Sequence, residues 1–385
     1  MRPLLVLLLA AAPLAAQVPT GPAKPRLELS DTTRRIPEPR TERPRPQATA
    51  KDSNVVAVKT RFRSAFVRRQ TMLGLALYAP SFASTVTTKP VPWTAAYLVM
   101  AGGSFFAAME LSHDLQITDG METLAAVAPI QGAAIGGALQ YGLTGNGKLA
   151  PGIFFGSVLG TAGALTLGSR LTPGAASAAI IGANAAAAFA AGTMYAFDEK
   201  YTGDRTRAVV AAGAALAGMQ LGAMYATYSP YNITAGDVHT MLVSTLVGTA
   251  AAGAFVSNGH PGHKTTTLAL EGGALAGLIA GDRLLVRRYD HTRGEATLVG
   301  LGALAGGLMG GGVSVIVGSS ARFNAATAGL GAIGATGGMW MVERWLGAHP
   351  DAGRRLADRI TIAPQGLALA AARVPGTYSL ARVTF

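Results

Sequence analysis

Three polar side chains that could do chemistry stand inside long apolar stretches of this sequence: Glu271, Asn184 and Gln220. Ionisable groups are costly in lipid, and in membrane helices they commonly mark an ion or substrate path. The alternative is that each side chain forms a hydrogen bond between neighbouring helices. Glu271 lies about seven residues into its segment, too deep for a short carboxylate to reach the segment end. We therefore expect Glu271 to face the protein interior or a water-filled cavity.

Other ionisable residues lie closer to segment ends. Glu110 and the pair Glu343–Arg344 are of this kind, and we expect them to reach the membrane interface by extending along the helix. They are therefore weaker candidates for a buried polar site than Glu271.

Two short motifs match known sites only in part. Residues 142–148, Gly-Leu-Thr-Gly-Asn-Gly-Lys, fit the first seven positions of a phosphate-binding P-loop, but Leu149 stands where Ser or Thr would hold Mg²⁺. We interpret this stretch as a loop between two helices. His260 and His263 share a short loop that offers no third ligand, so we expect a solvated turn. The sequence has no cysteine and no recognisable catalytic motif, and we expect no enzymatic activity, cofactor or metal.

The segments that must position these side chains are rich in regularly spaced glycine. Gly302, Gly306 and Gly310 are four residues apart and therefore lie along one side of a helix, and Gly273 and Gly277 repeat the step. In water each interior glycine costs a helix roughly 1 kcal/mol relative to alanine. In a bilayer small residues let helix backbones approach closely. We predict that these five glycines form helix–helix contacts.

Composition points the same way. Of the 385 residues 50% are hydrophobic and 14% are charged, whereas soluble domains carry about 25% charged residues. Ten apolar segments follow one another, most of them about 19–25 residues long, or roughly 30–37 Å as helix, which matches the hydrocarbon core of a bilayer. They are 64–85, 93–111, 120–142, 151–169, 174–197, 204–226, 236–257, 264–286, 294–318 and 323–346. The sequence predicts an all-α polytopic membrane bundle of about ten helices, a glycine-zipper domain over 64–346.

The junctions between segments resemble one another. Most pair Thr or Pro with Gly just before an apolar run, at intervals near 30 residues. Thr292-x-x-Glu295 is a capping box and Thr234-x-x-Asp237 approximates one. Pro151 and Pro173 suit a first helical turn. We predict repeats of about 30 residues, from duplication of a helix-plus-loop module or of helical hairpins.

The N-terminal region has a different character. Residues 1–16 form a short basic start, a leucine-rich run and a small-residue end, typical of a secretory signal peptide. Residues 17–63 are rich in Pro and Arg and predict a disordered arm. Much of the formal net charge of +12 lies there. Its expected partners, beside solvent, are anionic lipid or an envelope polymer; nucleic acid is not expected, because no nucleic-acid-binding motif accompanies the charge.

The C-terminal tail, 347–385, alternates polar and apolar residues around Pro364-Gln-Gly366 and predicts a short β-hairpin. Its last ten residues, 376–385, end in Phe385 and resemble the closing strand of bacterial outer-membrane β-barrels. That resemblance implies a barrel in the outer membrane. The long apolar segments lack the alternation and the aromatic girdles of barrel strands, so the helical bundle is favoured. The barrel is the first alternative, and a soluble or filament-forming Gly/Ala-rich fold is the second.

Together these features predict a structural or scaffold protein embedded in the bacterial cell envelope, in the inner or the outer membrane. A homo-oligomer is among the expected partnerships. The second hypothesis is a channel or transporter built from internal repeats. A transport path requires Glu271, Gln220 and Asn184 to converge, whereas a scaffold does not.

Overall fold

The computed structural model describes residues 53–145, 147–197, 203–257, 261–318, 325–350, 360–362 and 381–383. The predicted signal peptide, most of the predicted arm and most of the tail lie outside these residues. Helix begins at Ser53, ten residues before the predicted end of the arm. No proline lies between Ser53 and Pro80, so proline does not interrupt the helix there.

Nearly all of the described residues are helical. Twelve α-helices follow one another, with π-helical turns at Gly74–Tyr78 and Asp282–Val286. They are α1 (Ser53–Leu73), α2 (Ala79–Val86), α3 (Pro90–Asp114), α4 (Asp119–Ala125), α5 (Ala128–Thr144), α6 (Ala150–Gly168), α7 (Pro173–Phe197), α8 (Asp204–Tyr228), α9 (Ala235–Ser257), α10 (His263–Gly281), α11 (Arg293–Gly318) and α12 (Ala325–Ala348). The all-α prediction is confirmed, and the β-barrel alternative is disfavoured.

Six of these helices are long and apolar enough to cross a membrane: α3, α6, α7, α8, α9 and α11. The predicted count of ten spans is not supported. Segment 120–142 is divided between α4 and the 17-residue α5. The 19 residues of α10 include Lys264, three threonines and Glu271, which lower its hydropathy.

The division between α4 and α5 has a local cause at Pro129. Proline has no N–H, so it cannot bond the carbonyl four residues back, which belongs to Ala125. The side-chain amide of Gln70 on α1 donates to that carbonyl instead, at 3.1 Å. Gln70 in turn accepts a 2.7 Å bond from Tyr78. A buried polar side chain therefore satisfies the backbone group that proline leaves free.

The described helices fall into two units: Ala48–Ala191 with Lys200–Thr227, and Gly192–Glu199 with Tyr228 onward. In unit one, α5 and α6 form an antiparallel pair in direct backbone contact. A Cβ added at Gly132 would overlap the Gly156 carbonyl, and one at Gly136 would overlap that of Gly152. The α7–α8 pair has the same construction, with Gly182 against Gly218.

Unit two contains two further antiparallel pairs. Within α9–α10, a Cβ at Gly277 would overlap the carbonyl of Ser244, and one at Gly273 would lie against the backbone of Gly248. Within α11–α12, the predicted glycines all meet α12 backbone: Gly302 meets Gly338, Gly306 meets Gly334 and Gly310 meets Leu330. No side chain larger than hydrogen fits at these positions without separating the helices.

Large apolar side chains point away from the contacts between helices. Phe255 on α9 is 87% exposed, Ile316 on α11 is 82% exposed, and Leu308 on α11 is 69% exposed. The buried positions are mainly alanine, together with small polar residues such as Ser157 and Ser244. The helices thus direct their small residues towards one another and their large apolar residues outward.

Two three-residue strands, β1 (Ile360–Ile362) and β2 (Ala381–Val383), pair antiparallel with Ile360 opposite Val383. The residues between them lie outside the described part of the chain. The C-terminal β-hairpin therefore stays a prediction.

Candidate functional site

The buried ionisable groups of unit two converge where α9 and α11 begin. Both helices start with a threonine cap followed three residues later by a carboxylate. The backbone N–H of Thr234 donates to Asp237 at 2.8 Å, and that of Asp237 donates to the Thr234 hydroxyl at 3.0 Å. Thr292 and Glu295 exchange the same two bonds at 2.9 and 3.2 Å. Both predicted capping boxes are confirmed, and the carboxylates also favour the positive end of the helix dipole.

The two helix starts are joined to each other. The Thr234 hydroxyl donates to the His291 carbonyl at 2.6 Å, and the backbone N–H of His291 donates to Asp237 at 2.9 Å. Gly236 lies against this junction, where a Cβ would overlap the carbonyls of His291 and Thr292. Close approach of the two turns therefore requires glycine at 236.

The His291 imidazole lies between two carboxylates. Its Nδ1 is 2.8 Å from Asp237 Oδ1, and its Nε2 is 2.5 Å from Glu343 Oε1 on α12. The side chains of His291 and Asp237 are fully buried, and that of Glu343 is 5% exposed. One side chain thus connects the starts of α9 and α11 to the last turns of α12. We call these three residues the His291 cluster.

The electrostatics favour a charged imidazole. Burial alone lowers the pKa of His291, but the hydrogen bonds to Asp237 and Glu343, together with their negative charges, raise it to about 9. At neutral pH both ring nitrogens therefore carry protons, and each donates to a carboxylate. The cluster holds one positive and two negative groups, with no hydrogen bond to Glu343 Oε2 within the described structure.

This geometry limits what the cluster can do chemically. A histidine acting as general base needs one ring nitrogen free to accept a proton from a substrate. Here both nitrogens are bonded and the ring is inaccessible to solvent. The cluster is therefore built to connect helices, not to transfer protons to a substrate.

The environment of Glu343 differs from the one its sequence position predicts. A position near a segment end predicts that Glu343 extends to the interface together with Arg344. Arg344 is exposed, but Glu343 is buried against His291. The expectation for Glu343 is wrong because a buried cation 52 residues away in the sequence compensates its charge.

Glu271 on α10 lies beside the C-terminal end of α7, among the α7 residues that belong to unit two. The Thr193 hydroxyl donates to Glu271 Oε2 at 3.0 Å, while Oε1 is buried without a hydrogen bond in the described structure. Gly273 and Gly277 on the same helix meet α9 instead. The carboxylate and the glycines of α10 therefore contact different helices.

The two predicted amide residues belong to unit one. Asn184 on α7 accepts a 2.8 Å bond from the side chain of Gln131 on α5, and Gln131 also donates to the Ile180 carbonyl at 2.9 Å. Gln220 on α8 is exposed. In the described structure no hydrogen bond connects Asn184 to Gln220, and Glu271 belongs to the other unit.

The motif resembling a P-loop, residues 142–148, begins in the last turn of α5 and continues into the connection to α6, and residue 146 lies outside the described part of the chain. Gly145 adopts a left-handed conformation, φ 65°, directly after α5. Arg205 from α8 donates to the carbonyls of Gly142 and Leu143 at 3.1 and 2.9 Å. These carbonyls belong to the last turn of α5, so the arginine caps a helix C-terminus and compensates its dipole.

No group of three or more potential metal ligands occurs in the described ranges, and residues 258–260, which include His260, lie outside them. Comparisons with protein-family models, with curated proteins and with solved structures found no match to this chain.

The sequence pattern did not predict the His291 cluster. The local sequence identifies Asp237 only as a helix-capping residue. His291 directly precedes the second cap, and nothing in the neighbouring sequence indicates that it has a role. One sequence signal could have indicated the cluster. The turns at 234–237 and 292–295 share the same pattern of threonine, glycine and carboxylate, so the residues next to them are expected at equivalent positions. Glu343 had no such indication.

Proposed function

We propose that this protein is an integral membrane protein with a structural role, whose glycine-lined helical hairpins assemble within a lipid bilayer. The proposal rests on which side chains of the protein point outward and which lie between the helices. Large apolar residues such as Phe255, Leu308 and Ile316 are exposed, while the helix contacts are made by glycine and alanine. In water that arrangement leaves apolar surface unburied, but in lipid it is the favourable one.

The proposal includes an internal duplication of helical hairpins. Thr118 and Thr234 both cap a helix start, and the numbers 118 and 234 differ by 116. The same interval separates Gly132 from Gly248, each of which lies against a glycine carbonyl of the following long helix. It also relates Ala128 to Ser244, whose carbonyls meet Gly160 and Gly277. The partner glycines, Gly156 and Gly273 or Gly160 and Gly277, are separated by 117 residues. Equivalent contacts at intervals of 116 and 117 support a repeat of two hairpins, about twice as long per hairpin as the 30-residue module predicted from the sequence.

A scaffold is favoured over a catalyst or a transporter by the way the polar groups are used. The His291 cluster connects three helices, Asn184 bonds Gln131, and Arg205 caps α5. These side chains stabilise contacts between helices. The envelope location rests on the signal-like residues 1–16, and a homo-oligomer stays part of the proposal.

Membrane embedding is tested by two measurements on the full chain. Alkaline carbonate extraction should leave the protein in the membrane pellet, because burial of the apolar helices in lipid does not depend on charge. Purified protein reconstituted with liposomes should float with them in a density gradient. Release into the carbonate supernatant, together with failure to float, would refute the proposal.

A further inference from the structure

A groove between α1 and α3 in unit one has the chemistry of a lipid-binding site. It is open along one side, has a volume of about 670 Å³, and is lined by Arg63, Ser64, Val67, Arg68, Thr71, Met72, Phe105 and Met109. The α1 residues recur at steps of four and so line one side of that helix.

The groove's lining is mainly apolar and is supplied by Val67, Met72, Phe105 and Met109. Arg63 lies at one end of the α1 side and Arg68 about midway along it. Arg63 donates to the Ser112 hydroxyl at 3.3 Å and to the Met109 carbonyl at 3.4 Å, near the C-terminus of α3. A guanidinium has five N–H donors, so these two bonds leave further donors for a ligand.

Arg68 is the second cation of the groove. It is exposed and has no ion pair or hydrogen bond within the described structure, whereas the neighbouring Arg69 pairs with Glu122 at 2.8 Å. The acidic residues Glu110 and Asp114 of α3 are not among the groove's lining side chains. Asp114 is bonded to His113 at 2.8 Å. Among the described residues, neither arginine of the groove is paired with a carboxylate, and both lie beside an apolar channel.

We propose that this groove binds an anionic phospholipid, with an acyl chain against Met72, Phe105 and Met109 and the phosphate at Arg63 and Arg68. The inference rests on the proposed membrane location. Charge favours this occupant over the chain's own N-terminal arm, because residues 17–52, which precede α1, are rich in arginine and would be repelled by the same cations. Arginine also matches phosphate oxygens with paired N–H donors.

Native mass spectrometry of the full chain in detergent tests the assignment. The protein is incubated with equal amounts of phosphatidylglycerol and phosphatidylcholine that carry the same acyl chains. A basic residue near an anionic surface contributes about fivefold to binding, so two arginines should give about a 25-fold preference for phosphatidylglycerol. The Arg63→Gln/Arg68→Gln variant should lose that preference.

Two further variants separate the site from general effects. Lys89→Gln/Arg170→Gln removes the same charge from exposed positions of unit one outside the groove and should keep the preference. Met109→Trp fills the apolar channel without changing charge and should reduce bound phosphatidylglycerol and phosphatidylcholine alike.

An equal loss of preference in the Lys89/Arg170 variant would overturn the site, as would unchanged lipid binding by Met109→Trp. A lipid-free dimer that the Met109→Trp change dissociates would assign the groove to a second copy and also overturn it. Liposome flotation is run in parallel. A protein that floats but shows no lipid preference refutes the groove alone, whereas a protein that does not float refutes the membrane proposal as well.

Discussion

Replacing His291 should remove both a connection between helices and the pH dependence of stability. In His291→Asn the imidazolium between Asp237 and Glu343 is lost, and two buried carboxylates remain without their cation. Removing one partner of a buried ion pair typically costs about 3–5 kcal/mol. We expect the free energy of unfolding of unit two to fall by an amount in this range at pH 6.

The pH dependence follows from the raised pKa. His291 titrates at about 9 in the folded protein against 6.5 for an ordinary histidine, which corresponds to about 3 kcal/mol at roughly 1.4 kcal/mol per pH unit. Because the folded pKa is the higher one, this stabilisation is complete below pH 6.5. It is lost progressively as the pH rises from 6.5 to about 9.

The assay is thermal unfolding of the detergent-solubilised full chain at pH values from 6 to 9.5. For a unit of this size 1 kcal/mol changes Tm by roughly 2–4 °C, so the parent should lose about 6–12 °C across that interval. His291→Asn should begin at a lower Tm and stay nearly level between pH 6.5 and 9.

His349→Asn is the matched control, because His349 is exposed and bonds only the Trp345 carbonyl in the described structure. Its Tm should follow the parent at every pH. Two results would contradict the reasoning: a parent Tm independent of pH over this range, or a His349 variant that loses the pH dependence as completely as the His291 variant.

Two other predictions concern the helix contacts. Gly306→Leu should destabilise the protein by roughly 1–3 kcal/mol, because a Cβ there already overlaps the Gly334 carbonyl. Leu308→Ala, on the exposed side of α11, should change stability in detergent by no more than about 0.5 kcal/mol. Equal Tm values for the Gly306 variant and the parent would refute the contact. A cysteine replacing Glu271 should react slowly with both membrane-impermeant and lipid-soluble maleimides, since the residue packs against Thr193; ready labelling by the lipid-soluble reagent alone would place it in lipid.

Much of the helical arrangement could be predicted from local sequence. The caps at Thr234 and Thr292 determine where α9 and α11 begin, and Pro173 begins α7. These signals act within one turn of helix and need no tertiary information. The break at Pro129 could have been predicted by the same reasoning, since an interior proline leaves a carbonyl free.

Segment length and low charge alone predicted too many spans, whereas hydropathy reduces the number to six among the described helices. Segment length and low charge do not distinguish a helix that crosses lipid from one that packs inside the protein. The helix α10 shows the difference, because its threonines, Lys264 and Glu271 lower its hydropathy without changing its period. Periodicity predicted the helix, whereas its surroundings depend on neighbours distant in sequence.

The candidate site was predictable only in part for the same reason. Asp237 carries a local signal as a capping residue, but its bonds to His291 span 54 residues. The ion pair between His291 and Glu343 depends on how α12 returns to the start of α11. A charge near a segment end therefore has two outcomes, exposure or pairing, and the sequence around Glu343 does not distinguish them.

The positions of glycine and of charge together indicate how such a unit holds its shape. Close backbone contact along α11–α12 at Gly302, Gly306 and Gly310 resists separation of the helices but, being apolar and repetitive, sets their register weakly. A sliding motion of one turn would bring one glycine onto the position of the next. The His291–Glu343 bond, at the end of the same pair, is directional and has no second partner one turn away on α12, where Met339 and Gly347 stand. The glycines thus let α11 and α12 pack closely, and the buried ion pair selects one register among those that the glycines allow.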